Sequence, residues 1–75
     1  MRILLVEDEL RLAESVCAIL GKERFIVDHV DRLAAAREAG LMAAYDLALL
    51  DRKLPDGDGL SLVHDLRARN PGIHI

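Results

Sequence analysis

Three carboxylates define the chemistry open to this chain. Glu7 and Asp8 follow a short apolar run, Ile3-Leu4-Leu5-Val6, and Asp51 follows another, Leu47-Ala48-Leu49-Leu50. Apolar runs of this length, bounded by acids and turn formers, read as strands, so all three acids stand where a strand ends. Brought to one point, like charges disfavour ionisation and call for a shared proton or a bound cation. Magnesium suits such a place best, because it takes hard oxygen ligands, keeps several waters and is commonly held by one or two carboxylates together with a phosphate. Taken singly, each acid also fits a plainer role as a solvated strand end or a helix cap, as Asp8 would be for a helix beginning at Glu9. The three acids together with the turn Leu54-Pro55-Asp56-Gly57-Asp58-Gly59, which follows Asp51, are far more specific than any one of them.

The elements that must position them follow from periodicity. Residues 2–7 predict a strand buried on both faces. From Glu9 to Leu20, Ala13, Val16, Cys17 and Leu20 recur at helical spacing, with Gly21 as the expected stop. Phe25 to Val30 predicts a second strand, and Asp31 is placed to cap a helix that runs through Leu33, Ala36 and Ala39 until Gly40 interrupts it. Asp46 to Leu50 predicts the third strand. Leu60 to Arg69 then predicts a helix carrying Leu62, Val63 and Leu66, with Arg67 and Arg69 at the negative end of its dipole and Asn70-Pro71-Gly72 as its stop. Ile73-His74-Ile75 opens a fourth strand.

Strand and helix alternate throughout, which argues for a parallel α/β sheet. Right-handed crossovers restrict the arrangement further: if strand two lies on one side of strand one and strand three on the other, the chain reverses direction at strand one. Ligands of open sheets bind at such a reversal, outside the carboxyl ends of the strands, and there Glu7, Asp8 and Asp51 would meet.

Composition narrows the alternatives. With 75 residues, 52% hydrophobic and 31% charged, the chain fits at most one soluble domain. Its net charge of −3 and scattered Lys and Arg form no basic stripe, so this segment is not expected to bind nucleic acid. The first apolar run is too short for a secretory signal or a membrane span, and a cytoplasmic protein is the expectation. Cys17 lies among apolar residues and reads as core filler. His29, His64 and His74 show no metal spacing and stand on separate elements. Arg52 and Lys53 read as solvated loop cations. Pro55 is expected to fix φ in the loop, and Gly59 to allow close approach or a positive φ before the helix.

The motifs Ile3-Leu4-Leu5-Val6-Glu7-Asp8-Glu9, Tyr45-Asp46-Leu47-Ala48-Leu49-Leu50-Asp51 and Leu54-Pro55-Asp56-Gly57-Asp58-Gly59 together resemble the receiver domain of two-component response regulators. The resemblance implies a flavodoxin-like (CheY-like) doubly wound sheet of strand order 2-1-3. It runs over all 75 residues but only about the first two-thirds of a typical receiver: three strand–helix units and the start of strand four, with the C-terminal part of the fold absent. It implies that Asp51 is the phosphoacceptor, Asp8 a direct magnesium ligand, Glu7 a ligand acting partly through water, and the backbone carbonyl of Lys53 a third protein ligand, with manganese as a substitute metal. A cognate sensor histidine kinase would be the donor. The protein would be no enzyme in the usual sense, only assisting its own phosphorylation and dephosphorylation.

The wording of the loop resembles the OmpR/PhoB-type subfamily, whose DNA binding would lie in an output domain outside this segment. The family's later Ser or Thr and Lys, which hold the phosphoryl oxygens, have no counterpart here, so impaired activity and self-association through uncovered sheet surface are expected. Two other classes stay in view: a receiver-like interaction module that never takes phosphate, and a nucleotide or flavin binder. The second is weak, since the loop after strand one is acidic and lacks phosphate-cradling glycines.

Overall fold

The computed structural model describes residues 1–51 and 53–75, with only the backbone for Lys53. At its centre lies β1 (Arg2–Val6), paired in parallel with β2 (Ile26–Val30) on one side and β3 (Leu47–Leu50) on the other, so that Val6 stands opposite both Val30 and Leu50. The parallel pairing is the one expected from the alternation of elements, and the order β2-β1-β3 is the one the receiver resemblance implies. A central parallel strand must be apolar on both faces, and Ile3, Leu4, Leu5 and Val6 are all buried.

Helices cover the two faces unequally. Leu4 and Val6 join a core with Leu33 and Ala36 of α2 (Leu33–Met42) and Leu62 and Leu66 of α3 (Leu60–Arg69). On the other face, Leu5 shares a groove with Leu12 and Val16 of α1 (Leu10–Lys22). Among the described residues that helix stands alone there, and Leu10, Leu12 and Ile19 remain exposed. None of the described helices is long and apolar enough to cross a membrane.

Several local expectations are corrected by tertiary contacts. Gly21 does not stop α1, which runs on to Lys22; the chain reverses at Arg24, whose φ of 65° is left-handed and whose N–H donates to the Gly21 carbonyl at 3.0 Å. Nor does Gly40 interrupt α2. It sits inside the helix where a Cβ would lie 2.9 Å from Cδ2 of Leu66, so its lack of a side chain lets α2 and α3 approach. Asp31 does not cap α2 but pairs with Arg32 at 3.1 Å, and the capping oxygens come from Asp56. Phe25 and Asp46 fall just outside their strands.

The turn after Asp51 is a small antiparallel hairpin of β4 (Lys53–Leu54) and β5 (Gly57–Asp58). The expected fourth strand is a single parallel bridge, with His74 opposite Leu47.

One polar clamp closes the amino-terminal ends of the strands. Buried Tyr45 donates its hydroxyl hydrogen to Asp28 Oδ2 at 2.7 Å, and the Arg2 guanidinium donates to the same oxygen at 3.0 and 3.2 Å while lying 5.5 Å above the Tyr45 ring. Burial and the bond to Asp28 push the Tyr45 hydroxyl up to about 12, so it is a donor at neutral pH. Tyr45→Phe should therefore lower stability by about 1 kcal/mol, the usual worth of one such bond. Denaturant unfolding checks this, and an unchanged midpoint would mean the clamp carries no net stability.

Candidate functional site

Backbone pairing continues one residue beyond each strand and fixes where the acids stand. The Glu7 N–H donates to the Val30 carbonyl at 3.0 Å, and the Asp51 N–H donates to the Val6 carbonyl at 3.0 Å. Carboxylate oxygens of Glu7, Asp8 and Asp51 consequently lie within 4.8 Å of one another. The three are graded in exposure: Glu7 is buried at 7% exposed, Asp51 is half-buried and Asp8 faces solvent.

Glu7 bears most of the electrostatic penalty. Burial, then its hydrogen bond to Asp51 and the negative charges of Asp51, Asp8 and Glu9, push its carboxyl above the usual glutamate range. A hydrogen bond between two carboxyls needs a proton on one of them. The same set of hard oxygens, buried at one side and open at the other, fits a hard cation that keeps part of its water shell.

Loop geometry shapes the floor of the site. Gly59 has an ordinary φ of −62°, so it serves close approach and not a positive φ: a Cβ there would lie 2.9 Å from the Asp51 carbonyl oxygen and 3.1 Å from the Leu50 side chain. Its own carbonyl accepts the N–H groups of Leu62 and Val63 at 3.1 and 3.2 Å, which starts α3 against the acceptor strand. Pro55 is exposed in the hairpin turn. The Lys53 backbone lies in β4 opposite Asp58. The solvent positions expected for the Arg52 and Lys53 side chains lie outside the described residues.

Two residues next to the site were not identified by sequence reasoning. His29 Nε2 stands 2.8 Å from the Glu7 carbonyl oxygen, and since a carbonyl can only accept, that nitrogen carries the hydrogen. Its partner is a backbone atom, which leaves no mark in residue spacing. Asp56, read only as a turn former, reaches the first amides of α2. Asp31, next to the start of α2, masked the need for such a distant partner in the sequence.

Comparison with known proteins bears on the fold that carries this geometry. The profile of the response regulator receiver domain matches residues 3–75. Over 75 residues the chain is 35% identical to the probable transcriptional regulatory protein SilR of Salmonella typhimurium and 41% identical to the swarming motility regulation protein RssB of Serratia marcescens. All of the chain is matched in both, but it spans only about a third of their length, 33% and 34%.

Among solved structures, the non-phosphorylated HemR receiver domain of Leptospira biflexa superposes with a TM-score of 0.89 at 32% identity, over 96% of this chain and 58% of that one. The receiver domain of a sensor histidine kinase from Pseudomonas aeruginosa, with magnesium coordinated in its active-site cleft, gives 0.85 at 32% identity, over 95% and 58%. Thermotoga maritima TrrA, solved in complex with the histidine kinase ThkA, gives 0.86 at 28%, over 96% and 62%.

The raised Glu7 value makes stability pH-dependent with a definite sign. A carboxyl that holds its proton more tightly in the folded state adds stability below its unfolded value and loses it as pH rises through the folded one. Thermal melts without metal should therefore fall in midpoint as pH rises from the ordinary glutamate range, and Glu7→Gln should flatten that slope. A slope unchanged by Glu7→Gln would assign the pH dependence to other groups.

Proposed function

The chain belongs to the response regulator receiver domain family, and on that premise we propose that Asp51 accepts a phosphoryl group from a sensor histidine kinase, assisted by magnesium, in two-component signalling. The observation that carries this reading is the meeting of Glu7, Asp8 and Asp51 within 4.8 Å at the carboxyl ends of β1 and β3. Glu7, Asp8, Asp51 and the backbone carbonyl of Lys53 would hold magnesium, with manganese as a substitute. When bound, the ion supplies positive charge that offsets the oxygens of the transferring phosphoryl group.

The chain's own residues do the rest. An Asp51 carboxylate oxygen attacks phosphorus as the bond to the kinase imidazole breaks, and the acyl phosphate stays on Asp51. Asp51 must be ionised to attack, and burial, which favours the protonated form of Glu7, leaves the attacking charge to Asp51. Gly59 keeps the Asp51 backbone uncrowded, and Pro55 shapes the turn beyond it. Apart from assisting this transfer and the later hydrolysis of the acyl phosphate, which frees Asp51 and inorganic phosphate, the protein turns over no separate substrate.

A receiver-like module that binds partners without taking phosphate is the alternative. The acid pocket favours the phosphoacceptor, because a module working by contact alone gains nothing from a buried carboxyl held at a cost in ionisation. Control of transcription through an output domain, and a cytoplasmic location, are proposed for the parent protein by analogy with its relatives. Exposed Leu10, Leu12 and Ile19 on α1 support self-association of the chain.

Intact-mass measurement after incubation with acetyl phosphate and magnesium tests the reading. A form extended to receiver length should carry a single phosphoryl adduct that Asp51→Asn abolishes, and Asp8→Asn should weaken magnesium binding. A full-yield adduct in Asp51→Asn would move the acceptor elsewhere.

A further inference from the structure

The hairpin after Asp51 is fastened to the far helix by a single side chain. Asp56, in the β4–β5 turn, accepts the Leu33 N–H at 2.7 Å through Oδ1 and the Ala34 N–H at 3.0 Å through Oδ2. These are the first two amides of α2, which have no partner inside their own helix. Both oxygens of one carboxylate engage them, so the contact is charge-assisted and fixes orientation as well as distance. It also holds the Asp56 carboxyl below the usual aspartate range, through the Leu33 amide first and Ala34 second.

Two further contacts fix the same hairpin. Gly57, at φ 142°, comes so close to α2 that a Cβ would lie 3.1 Å from Cδ1 of the buried Leu33. At its other end the hairpin abuts the acid pocket: β4 starts at Lys53, paired with Asp58, and Gly59 presses on the Asp51 carbonyl with room for no Cβ at 2.9 Å. The hairpin therefore runs as one short ladder from the start of α2 to the acceptor.

We propose that Asp56 is a positioning residue of the pocket: by capping α2 it fixes the hairpin that presents the Lys53 carbonyl and the Gly59 contact, and so sets magnesium affinity at Asp51 without touching the reacting atoms. This inference rests on the reading of Glu7, Asp8 and Asp51 as a magnesium and phosphoryl site. Linkage makes it reciprocal: if the capped hairpin strengthens metal binding, metal binding strengthens the cap by the same factor.

The test compares the unaltered chain with Asp56→Asn, which keeps one acceptor oxygen, and Asp56→Ala, which keeps none, using magnesium chloride as the probe. Asp56→Ala should bind magnesium about threefold to tenfold more weakly, the scale of a lost helix cap, with Asp56→Asn between. Magnesium should also slow amide exchange at Leu33 and Ala34 in the unaltered chain and not in Asp56→Ala. The second readout separates positioning from simple capping, because a cap that only stabilises α2 protects those amides equally with and without the metal.

Equal magnesium affinity in the three proteins, or exchange at Leu33 and Ala34 that ignores magnesium, overturns the inference. Should circular dichroism find Asp56→Ala unfolded, Asp56→Asn and the unaltered chain supply both readouts. Failure of the underlying reading looks different: the unaltered chain then binds no magnesium, whereas failure of this inference alone leaves binding equally strong with and without the Asp56 carboxylate.

Discussion

Crowding of negative charge at the carboxyl ends of β1 and β3 is the constraint to which the rest of the structure answers. Parallel pairing on both sides of β1 aligns the strand ends, so the acid after one strand meets the acid after the other. The opposite end of the sheet resolves its charge locally. There Asp28 is held below the usual aspartate range, by the Tyr45 hydroxyl first and the Arg2 guanidinium second. At the acid pocket Glu7 is driven the other way, by burial and by like-charged neighbours. One end of the sheet is a closed ion-pair clamp, and the other favours a proton or a cation.

That polarity explains how rigid and permissive parts are distributed. The face of β1 that carries Leu4 and Val6 is packed against α2 and α3, and the hairpin after Asp51 is pinned to α2 by Asp56. The side bearing α1 keeps an apolar groove bounded by Leu5, Leu12, Val16 and Leu49 that runs to Asp51 itself. Structural relatives extend well past the portion matched here, the chain covering 58% of the HemR receiver. The half of the site that would hold phosphoryl oxygens is thus proposed to come from outside these residues.

How far the fold could be read from sequence depended on whether the cause was local. Helix α3 begins and ends at Leu60 and Arg69 as its periodicity and the Asn70-Pro71-Gly72 stop indicate, and alternation indicates the parallel sheet, while its order β2-β1-β3 is implied by the receiver resemblance. Convergence of Glu7, Asp8 and Asp51 was legible because topology alone aligns strand ends. The glycine rules failed where another element intervened: Gly40 reads as a helix breaker until Leu66 is seen against it. The cap of α2 was hidden because its donors and acceptor lie 23 and 22 residues apart in the chain. Strands of two residues, like β4 and β5, are too short to leave a period, and the burial that selects Glu7 as the proton holder is a property of packing.

Proton release on metal binding tests the central claim most directly. Magnesium competes with the proton that the raised Glu7 carboxyl favours, so calorimetric titration in buffers of different ionisation enthalpy, at a pH where Glu7 is protonated, should report proton release on binding. Glu7→Gln should bind with almost none released. Magnesium binding with no proton release from the unaltered chain, or with release undiminished by Glu7→Gln, would contradict the account.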